Sequence, residues 1–368
     1  MTARYLPKNS QELMRVYERY ISPLALIAGF LADNFILLKR VDLLQTNLLL
    51  FFYLFITALG IITVQLIETG RVREERKANS LPLVLIAMQF SFGGLFSGYL
   101  SLYSRSASLA VSWIFIAIIA VLLFGNERFM RLYSRFTFQI SMYFAVLFSF
   151  LIFFLPVVLH RIGPMIFILS GVLSVLGIML FLFVLDRAVP EVVRKDISLV
   201  SAIIVVIFCF FNLLYFANII PPLPLALKDA GVYHSIIHQT GGDYQLFAEP
   251  VPWYEYYILN YNTQYHATVG EGVYVYSAIF APTGLSTGIL HQWQYYDGAS
   301  RSWITADTLR FDIQGGRDGG YRGYSFKSSP APGSWRVNVI TEYGQLIGRI
   351  SFTVVPASTM VPLVDVVQ

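Results

Sequence analysis

Residues 197–224 read ISLVSAIIVVIFCFFNLLYFANIIPPLP, and this stretch decides the architecture of the chain. From Ile197 to Ile220 there is no charged side chain, and about 20 apolar residues suffice to carry a helix across a hydrocarbon core. Pro221, Pro222 and Pro224 then stop the helix and stiffen the chain beyond it. Working back from this segment, six further apolar stretches precede it, at 21–38, 48–67, 81–103, 107–124, 138–159 and 165–185. The segments around them alternate in basic residues. Arg4, Lys8, Arg15 and Arg19 precede the first; Arg71, Arg73, Arg76 and Lys77 follow the second. Arg128, Arg131 and Arg135 follow the fourth, and Arg187, Arg194 and Lys195 the sixth. The other loops hold only Lys39, Arg40, Arg105 and Arg161. Short loops rich in Lys and Arg stay cytoplasmic. The expected topology is therefore seven spans, the N-terminus inside and everything beyond Ile220 outside.

Composition agrees. Mean hydropathy is +0.61 with 13% charged residues, where soluble domains carry about a quarter. Up to Ile220 there are 18 basic and 11 acidic residues; from Pro221 there are 8 and 11. The pI near 9.0 thus reflects loop charge in the membrane half and gives no nucleic-acid footprint, which needs a basic patch on a folded surface. Cys209, the single cysteine, lies in the seventh stretch, so no disulfide within the chain is expected. The first twenty residues lack the features of a cleavable signal. Asn9, Glu12 and the apolar Leu13, Val16, Tyr17 and Tyr20 read as an amphipathic helix on the inner membrane surface or as a plain lead-in.

Beyond Pro221 the character changes: 14 of the 23 tyrosines and four of the five tryptophans lie there. β-type runs bounded by Gly, Pro and Asp recur at 272–280, 288–296, 302–313, 321–327, 334–341 and 346–355. Trp335, Val337 and Val339 alternate with Arg336 and Asn338, the pattern of a strand with one buried face. The fold class expected is a membrane all-α bundle of seven transmembrane helices followed by an all-β immunoglobulin-like sandwich. Its parts are a cytoplasmic amphipathic lead-in (1–20), the seven-span region (21–220), a proline- and aromatic-rich linker leading into the domain (221–271), the extracytoplasmic sandwich (272–356) and a flexible tail (357–368).

Candidate chemistry is sparse. Gly284-Leu285-Ser286-Thr287-Gly288 matches a nucleophile-elbow pattern, but it sits between two β-runs and suits an ordinary turn better. His234 and His238 are four apart, and a metal site would have to recruit Asp243, His266 or His291. The string Gly315-Gly316-Arg317-Asp318-Gly319-Gly320 lacks the ending of a phosphate loop and reads as a tight turn. Tyr321, Arg322, Tyr324 and Lys327 continue it as an aromatic and cationic strip. With Trp293, residues Arg317, Asp318, Tyr321, Arg322 and Tyr324 form a candidate recognition surface. The bland alternative has Arg317 and Arg322 pairing with Asp312, Asp307 or Asp297 to brace the sheet. In the membrane half Asp33, Gln65 and Gln89 are the candidate polar site; Gly94 with Gly98, and Ser170 with Ser174 and Gly177, read as helix-packing positions.

The segments His291–Asp297, Gly315–Ser325 (GGRDGGYRGYS), Pro332–Val337 and Gly348-Arg349 with Phe352 are similar to an uncharacterised bacterial family known only as a domain of unknown function, number 2914 of that series. The resemblance covers roughly Val273 to Val355 and implies a fold that often follows a multi-span region; it implies no activity, no catalytic residues and no cofactor. The function expected is non-enzymatic: a protein of the bacterial inner membrane that displays its β-domain outside to bind a protein or envelope glycan, with the lipid bilayer its other partner. The alternative is a transporter or lipid-processing enzyme built on the helical bundle. Neither oligomeric state nor ligand follows from the sequence.

Overall fold

The computed structural model describes residues 40–71, 74–106, 109–126, 129, 132–239, 243–256, 261–359 and 361–367. The lead-in (1–20) and the expected first span (21–38), with Asp33, lie outside the described residues. Two compact units result: the residues up to Ile220 apart from Arg105–Ser112, and Pro221–Gln368 together with Arg105–Ser112.

The first unit is helical. Its described helices are α1 (Leu44–Glu68), α2 (Glu74–Ser106), α3 (Leu109–Gly125), α4 (Phe136–Leu159), α5 (Pro164–Ala188) and α6 (Pro190–Phe216). Five of these, all but the shorter α3, are long and apolar enough to cross a membrane. Six described helices thus stand where seven spans were expected, each overlying one of the six stretches from 48–67 onward. α6 starts well before its apolar stretch because Pro190 is preorganised for a first helical position and Glu191, Arg194, Lys195 and Asp196 are compatible with a solvated first turn.

Helix packing uses small residues and buried polar bonds rather than an apolar stripe against water. α1 buries Leu50, Leu54, Thr57, Ile61 and Val64 at helical spacing, while Phe51, Phe52 and Phe55 stay exposed. A Cβ on Gly94 would lie 2.5 Å from the Tyr53 ring, so its bare backbone is what lets α1 and α2 approach. Ser170 donates to the Leu151 carbonyl at 3.0 Å, tying α5 to α4. Tyr99 and Tyr103 of α2 donate to the carbonyls of Val146 and Ser149 of α4 at 2.8 and 3.0 Å.

The second unit is β-rich. Its strands are β1 (Ala226–Tyr233), β2 (Ser235–His238), β3 (Tyr244–Ala248), β4 (Gln264–Ala267), β5 (Val273–Phe280), β6 (Ser286–Asp297), β7 (Ser302–Gln314), β8 (Tyr321–Lys327), β9 (Gly333–Thr341), β10 (Leu346–Pro356) and β11 (Val364–Val367). They form three sheets in the orders β1-β5-β8, β4-β10-β9-β6-β7 and β11-β3-β2. All the described pairings are antiparallel except β4 with β10. The last two long strands, β9 and β10, pair as an antiparallel hairpin over the turn at 342–345.

Two expectations about the edges of this unit change. Residues 221–271, read as a linker, contain β1 to β4, and β1 pairs with β5 along its whole length. Residues 357–368, read as a flexible tail, contain β11, which pairs with β3. Both segments lack the signal that marks a strand. β1 (ALKDAGVY) carries a charge pair and a glycine with no alternation, and β4 and β11 are only four residues long. What recruits them is the apolar surface already waiting. Tyr233, Leu246, Tyr276 and Ala278 form a buried cluster that brings the third sheet onto the first, with Tyr244, Tyr274 and Val366 against its rim.

Candidate functional site

Strand β8 carries the exposed chemistry of the unit. It pairs with β5 in unbroken register from Tyr321 opposite Ile279 to Lys327 opposite Val273. Its side chains alternate between two faces. Gly323 and Ser325 point inward; a Cβ at Gly323 would lie 2.6 Å from the Phe311 ring, and Ser325 is buried. Arg322, Tyr324 and Phe326 point the other way, and the two aromatic residues are 45% and 46% exposed.

Around them the rings form a continuous surface. Tyr274 lies 6.0 Å from Tyr324 and 4.6 Å from Phe326 between ring centroids. Tyr244 meets Tyr324 edge to face at 6.0 Å, and His238 meets Tyr244 at 4.9 Å. Arg322 Nη1 donates to Asp243 Oδ1 at 3.0 Å. Arg317 stacks over the Tyr321 ring at 5.7 Å. The glycines of 315–320 make this loop possible. A Cβ on Gly315 would lie 1.8 Å from the Pro282 carbonyl oxygen, and Gly316 and Gly320 have φ of +108° and +89°.

Of the six residues read as a recognition surface, Arg322 and Tyr324 share the outward face of β8; Tyr321 holds the alternate parity at the start of the strand, with Arg317 of the preceding loop over its ring, and Asp318 is exposed in that loop. Trp293 does not join them. It is 0% exposed, meets Trp335 and Phe352 edge to face, and donates from Nε1 to Ser325 Oγ at 3.0 Å. The parity of β6 places it: Ile289, His291 and Trp293 turn inward while Leu290, Gln292 and Gln294 turn outward. The arginine pairing also differs from the bracing expected. Arg322 takes Asp243, whereas Asp307 pairs with Lys327, Asp312 with Arg310, and Asp297 caps its own turn at Ala299 and Ser300.

His291 lies at the centre of the interface between the first two sheets. Its ring nitrogens bond Ser277 Oγ and Ser325 Oγ, each at 2.8 Å. Burial lowers its pKa to about 4, so it is neutral at ordinary pH. Both serines then satisfy a fully buried imidazole, and the group serves the core. Ser286, the serine of the elbow-like pattern, opens β6 and donates to the Ile313 carbonyl at 3.2 Å, with no helix behind it.

A second polar cluster, with no sequence signal beyond isolated residue types, joins three turns. His234 is 7% exposed, with Nδ1 2.6 Å from Glu271 Oε1 and Nε2 3.1 Å from Glu249 Oε1. Glu249, 5% exposed at its side chain, also accepts from the backbone N–H of His266 at 2.6 Å and lies 2.7 Å from its Nδ1. Glu271 accepts from the N–H and hydroxyl of Thr268 at 2.8 and 2.6 Å. Tyr265 stacks on the His234 ring at 4.3 Å. Burial opposes charge on His234, but its bonds to Glu249 and Glu271 hold its pKa above the ordinary value. Burial likewise opposes charge on Glu249, yet bonds from His234 and His266 hold its pKa below. Among the described residues no set of three or more His, Cys, Asp or Glu side chains is placed to hold a metal ion.

In the helical unit Gln65 and Gln89 belong to one buried network. Gln65 Nε2 donates to Gln139 Oε1 at 2.8 Å, and Gln139 in turn donates to the Tyr133 carbonyl. The Tyr133 hydroxyl donates to Asn126 Oδ1, and Asn126 Nδ2 donates to the Gln89 carbonyl at 2.9 Å. The side chains of Gln65, Gln139, Tyr133 and Asn126 thus help bind α1, α2 and α4 together, with Gln89 taking part through its backbone carbonyl. Asp33, the third member expected, lies outside the described residues.

Residues 286–354 match the family model described as protein of unknown function (DUF2914). The match spans β6 to β10 and falls within the segment read as similar to that family. No curated protein matches the chain. Among solved structures, Pseudomonas fluorescens alkylpurine DNA glycosylase AlkC, bound to DNA containing an abasic site analog, aligns with 74% of this chain and 80% of its own, at 11% identity. Its TM-score is 0.22, too low to mark a shared fold.

Proposed function

We propose that this chain is a non-enzymatic multi-pass protein of a bacterial inner membrane. It has seven spans, a cytoplasmic N-terminus and an extracytoplasmic immunoglobulin-like sandwich that recognises a protein or an envelope polymer through β8. The observation that carries this reading is the half-exposed pair Tyr324 and Phe326 beside the partly buried Tyr274, with Arg322 and Arg317 at the margin. Aromatic residues and arginine are enriched where proteins recognise partners. The alternation of basic loops supports the orientation.

The alternative, a transporter or lipid-processing enzyme in the bundle, draws support from a cleft of about 570 Å3 between α5 and α6. It is lined by Ile178, Leu182, Ile197 and Ile204, with the exposed ion pair Asp186–Arg194 at its rim. Gln65 weighs against it, since its side chain is committed to the bond with Gln139 between helices. The test is photo-crosslinking in cells from position 324. A discrete protein or glycan adduct supports the recognition reading and names its partner. A blank from a chain that is expressed and inserted refutes it and shifts attention to the cleft.

A further inference from the structure

The outward face of the five-stranded sheet holds a second arrangement, away from β8. Opposite one another across β10, β9, β6 and β7 stand two polar rows. One is Arg349, Asn338, Gln292 and Thr308; the other is Ser351, Arg336, Gln294 and Thr305. Arg336 Nε donates to Gln294 Oε1 at 2.7 Å, and Arg349 Nε donates to Asn338 Oδ1 at 2.7 Å. Asn338 Nδ2 links the two by donating to Gln292 Oε1 and Gln294 Oε1, both at 3.1 Å. The Arg336 guanidinium lies flat against Trp303, its Cζ 4.2 Å from the ring centroid.

Each guanidinium is therefore fixed through Nε and, for Arg336, through its face. Among the described residues neither has a carboxylate within ion-pair distance. By contrast Arg310, Arg322 and Lys327 of the same unit are all paired with acids. Both arginines are partly buried. Burial disfavours the charge on each, and the nearby Arg349 adds repulsion at Arg336. Two like charges held close on one sheet face by neutral amides are costly unless an anion joins them. The terminal N–H groups of a guanidinium form a fork that matches an oxyanion in two-pronged fashion, which an ammonium cannot reproduce.

We propose that Arg336 and Arg349, oriented by Gln294 and Asn338, form a binding site for an oxyanion, a phosphate or carboxylate group carried by a soluble molecule or by an envelope lipid or polymer. Both arginines lie within residues 286–354, the part of the chain that matches the family model. The Gln292 amide and the Thr305 and Thr308 hydroxyls beside the pair supply further polar groups for hydroxyls next to the anion.

The test uses the full chain in detergent, with inorganic phosphate as the probe and the unfolding temperature of the tryptophan signal as the readout. Titrated phosphate at constant ionic strength raises that temperature in the parent chain. Arg336→Gln and Arg349→Gln each weaken the phosphate response about tenfold, and Arg336→Lys weakens it too because the charge remains but the fork is lost. Lys228→Gln, on β1 and outside both surfaces, responds to phosphate as the parent does. Incorporation into nanodiscs with and without phosphatidylglycerol separates the sources: competition by that lipid assigns a lipid headgroup, and its absence assigns a soluble anion. An equal phosphate response in parent, Arg336→Gln and Arg349→Gln would overturn the site.

Discussion

Replacing Glu249 by glutamine removes one negative charge and changes almost nothing in shape, so it isolates the electrostatics of the His234–Glu249–His266–Glu271 cluster. The carboxylate takes three bonds, from His234 Nε2 at 3.1 Å, the His266 N–H at 2.6 Å and His266 Nδ1 at 2.7 Å. An amide oxygen can keep the backbone bond. Its NH2 then faces an imidazole nitrogen that had been donating, and His234 retains only Glu271 as a partner. Losing a hydrogen bond to a charged group costs about 1.5–3 kcal/mol. Glu249→Gln should therefore destabilise the β-rich unit by about 2–3 kcal/mol, or roughly 5–10 °C in a domain of this size. Tryptophan fluorescence during thermal unfolding of the full chain is the assay, because four of the five tryptophans lie in this unit.

The pH dependence gives a second readout of the same cluster. His234 has a folded-state pKa above its ordinary 6.5. Its contribution is fully present below that ordinary value and is lost as pH rises through the raised one. Glu249 and Glu271 have folded-state values below 4.5. Their contribution is present above that value and is lost as pH falls through the depressed one. The cluster thus holds best between mildly acidic and neutral pH, and stability declines on the alkaline side through His234. In Glu249→Gln that alkaline decline should flatten. A variant within about 0.5 kcal/mol of the parent, the usual range for a surface change, with an unchanged alkaline slope, would show that the cluster clamps nothing.

Three other outcomes can be measured. His291 titrates in the opposite sense: its folded pKa of about 4 lies below 6.5, so its burial costs stability as pH falls from 6.5 towards 4. His291→Gln should reduce that acid sensitivity while lowering stability at neutral pH by about 1–3 kcal/mol, since Ser277 and Ser325 lose their ring partners. Gly94→Val puts a side chain where the Tyr53 ring stands 2.5 Å away and should lower the detergent unfolding temperature of the helical unit, by about 1–3 kcal/mol of overpacking; Gly70→Ala, with nothing within 4 Å of its Cβ but a positive φ, separates crowding from backbone strain. Gln139→Leu breaks the link between Gln65 and Tyr133, and the same assay should register a loss of about 0.6–1.7 kcal/mol, the range for bonds between membrane helices.

The helices are legible because apolar length is a one-dimensional property: α1 to α6 sit where hydropathy puts them, and only their polar ends, such as Pro190 to Asp196, extend past it. β5 to β10 are legible for a related reason, since each alternates or is bounded by turn residues. β1 and β4 are not, because their order comes from partners on β5 and β10 far along the chain. The candidate surface rests partly on composition, and that is where it fails. Residue type alone groups Trp293 with the exposed aromatics, although its step of two from His291 and Ile289 assigns it to the buried face. Glu249 and Glu271 carry no signal at all. They stand 15 and 37 residues from His234, with no spacing rule to join them.

The pairing of β11 with β3 has a consequence for the order in which the protein can be made. Gln245 and Asp365, whose side chains bond diagonally across that pair at 2.6 Å, are 120 residues apart. At translation rates of about 5–20 residues per second, β3 emerges roughly 6–24 s before the strand that completes its sheet. During that interval one edge of β3 is open, with only β2 beside it, and its N–H and C=O groups are available to any neighbouring strand. The nascent β-rich unit is therefore most exposed to mispairing late in synthesis, and a holding factor that shields β3 until β11 arrives would raise its yield.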